Sequence, residues 1–151
     1  MVKKTEVMMG DIICLHDRAF EIKEIHKNSV EGIFLPVPLG YYTESWAKTK
    51  PFYLTADLLS TIGFEKVEGC KENLWCYKGN SFKVHYSITD TSLSILGNPV
   101  KIMGFGFCYI STLHELMHQF RTYNIETVHI YRLMQNYKLP FRNLKCKKCK
   151  T

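Results

Sequence analysis

The chain has 151 residues, 46% of them hydrophobic, and carries a formal charge of +6 from 20 Lys and Arg against 14 Asp and Glu. Such a length and apolar fraction suit one globular domain with an adequate core. No run approaches the roughly 18 to 20 apolar residues of a membrane span, and MVKKTEVMMGD is too interrupted by charge to act as a signal peptide. The expectation is a cytoplasmic protein with no membrane partner.

From Asp11 the chain reads DIICLHDRAFEIKEIHKNSVEGIFLPV, short β-branched and aromatic runs broken by HDR and HKNS, which predicts a meander of about three strands. The segment PVPLGYYTESWAKTKP that follows is rich in Pro, Gly and aromatics and reads as a loop whose Tyr41, Tyr42 and Trp46 cap the core. In LTADLLSTIGF, Thr55 is a predicted N-cap, Leu58, Leu59 and Ile62 form an apolar stripe, and Gly63 stops a short helix. Between Phe64 and Met103 the pattern alternates again, giving three to five antiparallel strands with KGNS at 78–81 as a hairpin turn.

After GFGF the period becomes helical. Thr112 and Glu115 fit a capping box, and Leu113, Leu116, Met117 and Phe120 recur at the i, i+3, i+4, i+7 spacing of a buried stripe. A further helix is predicted from about Ile125 to Tyr137, ended by Pro140, although TVHIYRL also alternates as a strand would. The fold class expected is α+β: antiparallel sheet from the N-terminal meander and the central hairpins, packed with two to three helices. Residues 1–140 form the single domain in this reading and 141–151 a basic tail.

Residues 127–151 contain Arg132, Lys138, Arg142, Lys145, Lys147, Lys148 and Lys150 and no acidic residue, so this segment carries +7 of the +6 total and leaves the other 126 residues at −1. Basic segments of this kind attract polyanions. Those seven residues are the expected nucleic-acid-binding set.

His114, Glu115 and His118 spell HExxH, the pattern in which two His one helical turn apart ligate zinc and the Glu acts as base toward a metal-bound water. At 100° per residue the two imidazoles lie about 40° apart and about 130° from the middle of the apolar stripe, on a polar flank of the helix. A catalytic zinc takes three protein ligands. The third is missing: Arg121 and Asn124 stand where the HExxHxxGxxH form has Gly and His, and the only later carboxylate, Glu126, is too near. CKKC at 146–149 has the spacing of half a zinc site with no second half nearby, and Cys70 and Cys76 would need the fold to bring them across. The expectation is therefore no cofactor and no catalytic residue, with His114, His118, Cys146 and Cys149 as the alternative metal ligands. Cys14 and Cys108 sit in apolar runs and read as small buried hydrophobes, and all the thiols are expected to be reduced.

The runs GDIICLHDRAFEIKEI, FYLTADLLSTIGFEK and YISTLHELMHQF, in that order, resemble a group of small proteins from Bacteroidetes genomes and their phages and prophages, over residues 8–126. The LTxxxLxxxGFE segment is the most specific element of the likeness. Tyr109, Leu113 and Leu116 keep the character of that group's helix, whereas His114 and His118 stand where it has Gln and Phe. The resemblance implies a mobile-element origin and a fold, not a mechanism, and residues 127–151 extend beyond it. Together with the charge, it implies a non-enzymatic binding protein in the cytoplasm of a bacterial host. The expected role is that of an inhibitor of a defence system, an anti-CRISPR protein against an RNA-guided, RNA-cleaving nuclease, with the nuclease, its guide RNA or other nucleic acid as partner. The alternatives are a zinc hydrolase using the HExxH and a structural or assembly component of a phage.

Overall fold

The computed structural model describes residues 1–35, 40–70, 73–97 and 105–139. The architecture is α+β, with two antiparallel five-stranded sheets and three α-helices among the described residues. The first sheet is made of β1 (Ile12–Leu15), β2 (Arg18–Ile25), β3 (Ser29–Phe34), β4 (Tyr42–Ser45) and β5 (Thr49–Lys50), in the order β4-β3-β2-β1-β5. The second consists of β6 (Glu65–Lys66), β7 (Leu74–Lys78), β8 (Phe82–Ser87), β9 (Ser92–Gly97) and β10 (Phe105–Tyr109), in the order β10-β9-β8-β7-β6. The helices are α1 (Ala56–Thr61), α2 (Leu113–Thr122) and α3 (Val128–Met134).

Every residue of β1 is buried, so this short strand separates two apolar layers. Ile12 and Cys14 point into the main core, where Ala19 of β2 joins buried side chains of all three helices and Trp75, Val84, Tyr86, Leu93 and Ile95 of the second sheet. Ile13 and Leu15 point the other way, into a smaller layer of Phe20, Ile22, Val30 and Trp46 that is closed by Val2 and Val7 of the N-terminal segment. Gly32 is required where β3 crosses β2, because a Cβ there would meet Glu21 O at 2.0 Å and the Phe20 ring at 2.8 Å.

The helix ends follow the sequence signals. Leu58 N–H donates to Thr55 Oγ1 at 3.2 Å, and at the other end of α1 Gly63 (φ +101°) lets Phe64 N–H reach Leu59 O at 2.9 Å. In α2, Glu115 N–H donates to Thr112 Oγ1 at 3.4 Å and the Thr112 hydroxyl donates to Glu115 Oε1 at 2.7 Å. The KGNS turn joins β7 to β8 as expected, with Gly79 N–H on Phe82 O at 3.0 Å.

Three segments differ from the sequence reading. The stretch expected to be a loop holds β4, a 3-10 turn at Trp46–Lys48 and β5. β4 is an edge strand with little burial, so it shows no alternation, and β5 is only two residues long. Of its aromatics, Trp46 caps the small layer as expected, while Tyr41 and Tyr42 are exposed. β10 occupies residues passed over as the approach to α2, and α3 begins three residues after the expected start. The cause of the late start is Asn124, which takes φ +56° so that Ile125 N–H closes on Phe120 O at 2.7 Å and Asn124 N–H on Arg121 O at 3.1 Å. That is the closing motif of α2, and it claims Ile125 before α3 can start.

Leu116 is fully buried in the main core. Leu116→Ala is expected to lower unfolding free energy by about 2 to 5 kcal/mol, read from the midpoint and slope of urea denaturation.

Candidate functional site

The HExxH histidines lie on α2, but not on one polar flank. His114 is 2% exposed, while His118 is partly accessible. The correction has a physical cause: the N-terminal segment docks over this side of the helix start, Val2 N–H donating to Thr49 Oγ1 at 3.1 Å and Val2 packing inward. A wheel drawn for one helix cannot include that cover.

His118 Nε2 lies 2.6 Å from Asp11 Oδ2, and Arg121 Nη1 donates to Asp11 Oδ1 at 2.8 Å. Asp11 itself is completely buried at the entry to β1, where its Oδ2 also accepts from Met8 N–H at 2.8 Å. The network continues outward. Arg121 Nη2 donates to the Tyr131 hydroxyl at 3.3 Å, and that hydroxyl donates to the carbonyl of Gly10. Burial works against the Arg121 guanidinium, but the hydrogen bonds it donates to Asp11 and Tyr131 and the Asp11 charge outweigh it and raise its pKa. A buried carboxylate thus joins the β1 entry turn to α2 and α3.

His114 has a different environment. Its Nε2 lies 3.3 Å from Thr112 Oγ1, and its Nδ1 is buried without a partner. Because the Thr112 proton is given to Glu115, Nε2–H must be the donor to Oγ1, which leaves Nδ1 as a bare lone pair in the neutral ring. Burial pushes the His114 pKa down, and His118 pushes the same way, against the weaker pull of Asp11, Glu115 and Glu6. His114 and Glu115 line a cleft of about 570 Å³ whose other walls include Met1, Lys3, Glu6 and Tyr53.

The two rings stand 6.1 Å apart at 62°. His118 Nε2 is held by Asp11 and His114 Nε2 by Thr112, and among the described residues no trio of ligand atoms gathers around either histidine. The one trio there is Glu24, His26 and Glu31 on the β2–β3 hairpin, where His26 Nε2 lies 3.3 and 3.4 Å from the two carboxylates. It is solvent-facing and reads as an ordinary surface ion-pair group. Cys14 is buried as expected and its thiol is raised to about 11 by burial, whereas Cys108 is only partly buried and Cys70 is exposed. Cys146 and Cys149 lie outside the described residues.

Of the expected nucleic-acid-binding set, Arg132 on α3 and Lys138 are exposed. Arg142, Lys145, Lys147, Lys148 and Lys150 lie outside the described residues. Lys138 forms an antiparallel bridge with Arg18, and Leu139 N–H reaches Asp17 O at 3.4 Å. This pairing sets Lys138 beside the β1–β2 turn, where His16, Lys48 and Lys50 line a cleft with Asp17. Two carboxylates moderate the positive charge: Asp17, and Glu44 at 3.6 Å from both Lys48 Nζ and His16 Nε2. Sequence reasoning missed Arg18, Lys48 and Lys50, because the pairing of β2 and β5 with β1 and the Lys138–Arg18 bridge bring them to the same end. Comparison with protein-family models, curated proteins and solved structures returns no match.

Two outcomes follow for this cluster. Asp11→Asn leaves Arg121 without its counter-charge and is expected to cost about 3 to 5 kcal/mol in chemical denaturation, whereas Glu115→Gln keeps an acceptor for Thr112 and should stay within about 0.5 kcal/mol of wild type. For His114, a folded pKa below the unfolded value means that the unfolded chain binds more protons as pH falls below about 6.5. Stability is present above that pH and is lost on acidification. Melting temperatures at pH 7.5 and 5.5 should therefore show a fall in wild type that shrinks in His114→Leu; an equal fall in both proteins would remove His114 as its source.

Proposed function

We propose that this protein is a non-enzymatic binding protein of phage or mobile-element origin that engages nucleic acid or nucleoprotein through its basic C-terminal region. Its proposed target is an RNA-guided, RNA-cleaving nuclease of a bacterial defence system, which it inhibits, as an anti-CRISPR protein, by occupying the nuclease or its guide RNA. The observation that carries this reading is the charge of +7 on residues 127–151, of which Lys138, the last basic residue described, bridges Arg18 at the end of the first sheet that also holds Lys48 and Lys50. Flexible ammonium and guanidinium donors arranged this way neutralise phosphates without reading sequence, and their contribution comes through release of counterions. The engagement of His118 Nε2 with Asp11 gives α2 a part in holding the fold together.

The test is salt dependence. If the region makes about four phosphate contacts to single-stranded RNA, log K should fall against log salt with a slope near −3, at roughly −0.7 per contact. Removing residues 143–151 is expected to flatten the slope and weaken binding with almost no change in melting temperature. In parallel, the full-length protein should suppress target cleavage by a guide-loaded nuclease and the truncated one should suppress it less. Equal affinity of the two proteins at every salt concentration would remove the basic region from function.

A further inference from the structure

The second sheet has one face against the main core and one outer face, exposed along β10 and covered at Cys76 and Ser87, and β10 is built the wrong way round for an ordinary edge strand. Its core-facing positions are small, Gly106 and Cys108, while Phe107 and Tyr109 point outward and are 54% and 67% exposed. Gly106 is enforced from inside, because a Cβ there would lie 2.3 Å from the Tyr123 hydroxyl at the end of α2. The register gives the rest of the outer face. Phe107 is followed across the sheet by Ser94, His85, Cys76 and Glu65, and Tyr109 by Ser92, Ser87 and Leu74. A third row runs from Leu96 to Lys83 and Lys78.

Leu96 is 46% exposed, and Lys83 and Lys78 are exposed beside it. Among the described residues, the one carboxylate on the strands of this face, Glu65, stands on β6 at the opposite edge, and Asp90 is tied into the β8–β9 turn by Ser92 at 2.8 Å. The buried side chains of α1, α2 and α3 all belong to the cluster on the other face.

We propose that this outer face, centred on Phe107 and Tyr109, is a stacking platform for single-stranded nucleic acid. The inference rests on the nucleic-acid reading above for its ligand class, but not on the basic C-terminal region. Two rings on alternate residues of one strand, with centroids 5.3 Å apart and planes at 85°, present π-faces in two different directions, one to each of two bases splayed out of a continuous stack, and bases of any identity have such a face to give. Lys83 and Lys78 lie on the same sheet face to take the phosphates, and the partly accessible Ser92, Ser94 and His85 between these lysines and the rings supply hydrogen-bonding groups. Paired bases keep their faces stacked within the helix, so a platform of this kind selects single strands over duplex. A second copy of the chain is the poorer occupant. Three exposed apolar side chains offer on the order of 500 Å², short of the roughly 800 Å² per partner of a stable interface.

The experiment uses the full-length protein with labelled single-stranded RNA and DNA oligonucleotides and a blunt duplex of equal length, followed by fluorescence anisotropy. The double variant Phe107→Ala, Tyr109→Ala should bind single strands about tenfold or more weakly, with the salt slope and the duplex affinity unchanged. Tyr109→Phe should bind as wild type. Truncation of residues 143–151 produces the opposite pattern, a changed slope, so loss of one determinant is distinguishable from loss of the other. As a check that does not depend on a variant folding, 5-bromouridine RNA photo-crosslinked to wild type should mark the peptide containing Phe107 and Tyr109. Crosslinks confined to residues 127–151, or unchanged affinity in the double variant, would overturn the platform and leave the basic region standing. Failure of wild type to bind any oligonucleotide would overturn both. A concentration-dependent dimer that the double variant abolishes would assign the face to a second copy instead.

Discussion

The carboxylate of Asp11 is the interaction on which the rest of the structure depends. It is fully buried, and it is satisfied from three directions: by the backbone of the turn that starts β1, by His118 and by Arg121. A buried charge has little solvent to fall back on, so each partner must stay in place, and the orientation of α2 across β1 is fixed by that requirement. Once α2 is fixed, Leu113, Leu116, Met117 and Phe120 meet the inner face of the second sheet, and Tyr131 on α3 is held against Gly10 through the same guanidinium. Ion pairs of this kind are seldom the cheapest way to fill a core. Their clearer effect here is to choose one docking angle among several that the apolar stripe alone would accept.

This arrangement gives each residue of the histidine motif a structural partner. HExxH states that two imidazoles and a carboxylate share a helix; it does not state what lies across from them. Here Asp11, distant in sequence, lies across from His118, Thr112 and the N-terminal segment enclose His114, and Glu115 serves the helix cap. The two positions that break the longer zinc motif have defined work in this fold, Arg121 as the second partner of Asp11 and Asn124 as the left-handed residue that ends α2.

What the sequence disclosed was local. Caps, the Gly63 stop, the KGNS turn and the buried stripe of α2 each depend on residues within about a turn of one another, and all of them stand. What it withheld was long-range or inverted. The Asp11 contacts span 107 and 110 residues. β10 escaped notice because its large residues face solvent and its small ones the core, so GFGFCY does not resemble a half-buried strand. β4 and β5 escaped because pairing to a neighbour defines them rather than any pattern of their own. The basic segment was legible as charge, but the surface it starts from was not, since Arg18, Lys48 and Lys50 are scattered through residues 18–50.

Two surfaces of different physics emerge at different places in the fold. One is ionic, begins at the Lys138–Arg18 bridge and acts at a range set by salt. The other is aromatic, sits on the outer face of the second sheet and acts only on contact. On the proposed reading, long-range attraction that does not discriminate between strands, combined with short-range stacking that does, would divide the labour: the first would raise the rate and strength of encounter, and the second would decide which polyanion is retained. The two are joined through the frame, because Gly106 leaves room for the Tyr123 ring beneath β10, and Tyr123 ends the same helix that Asp11 holds.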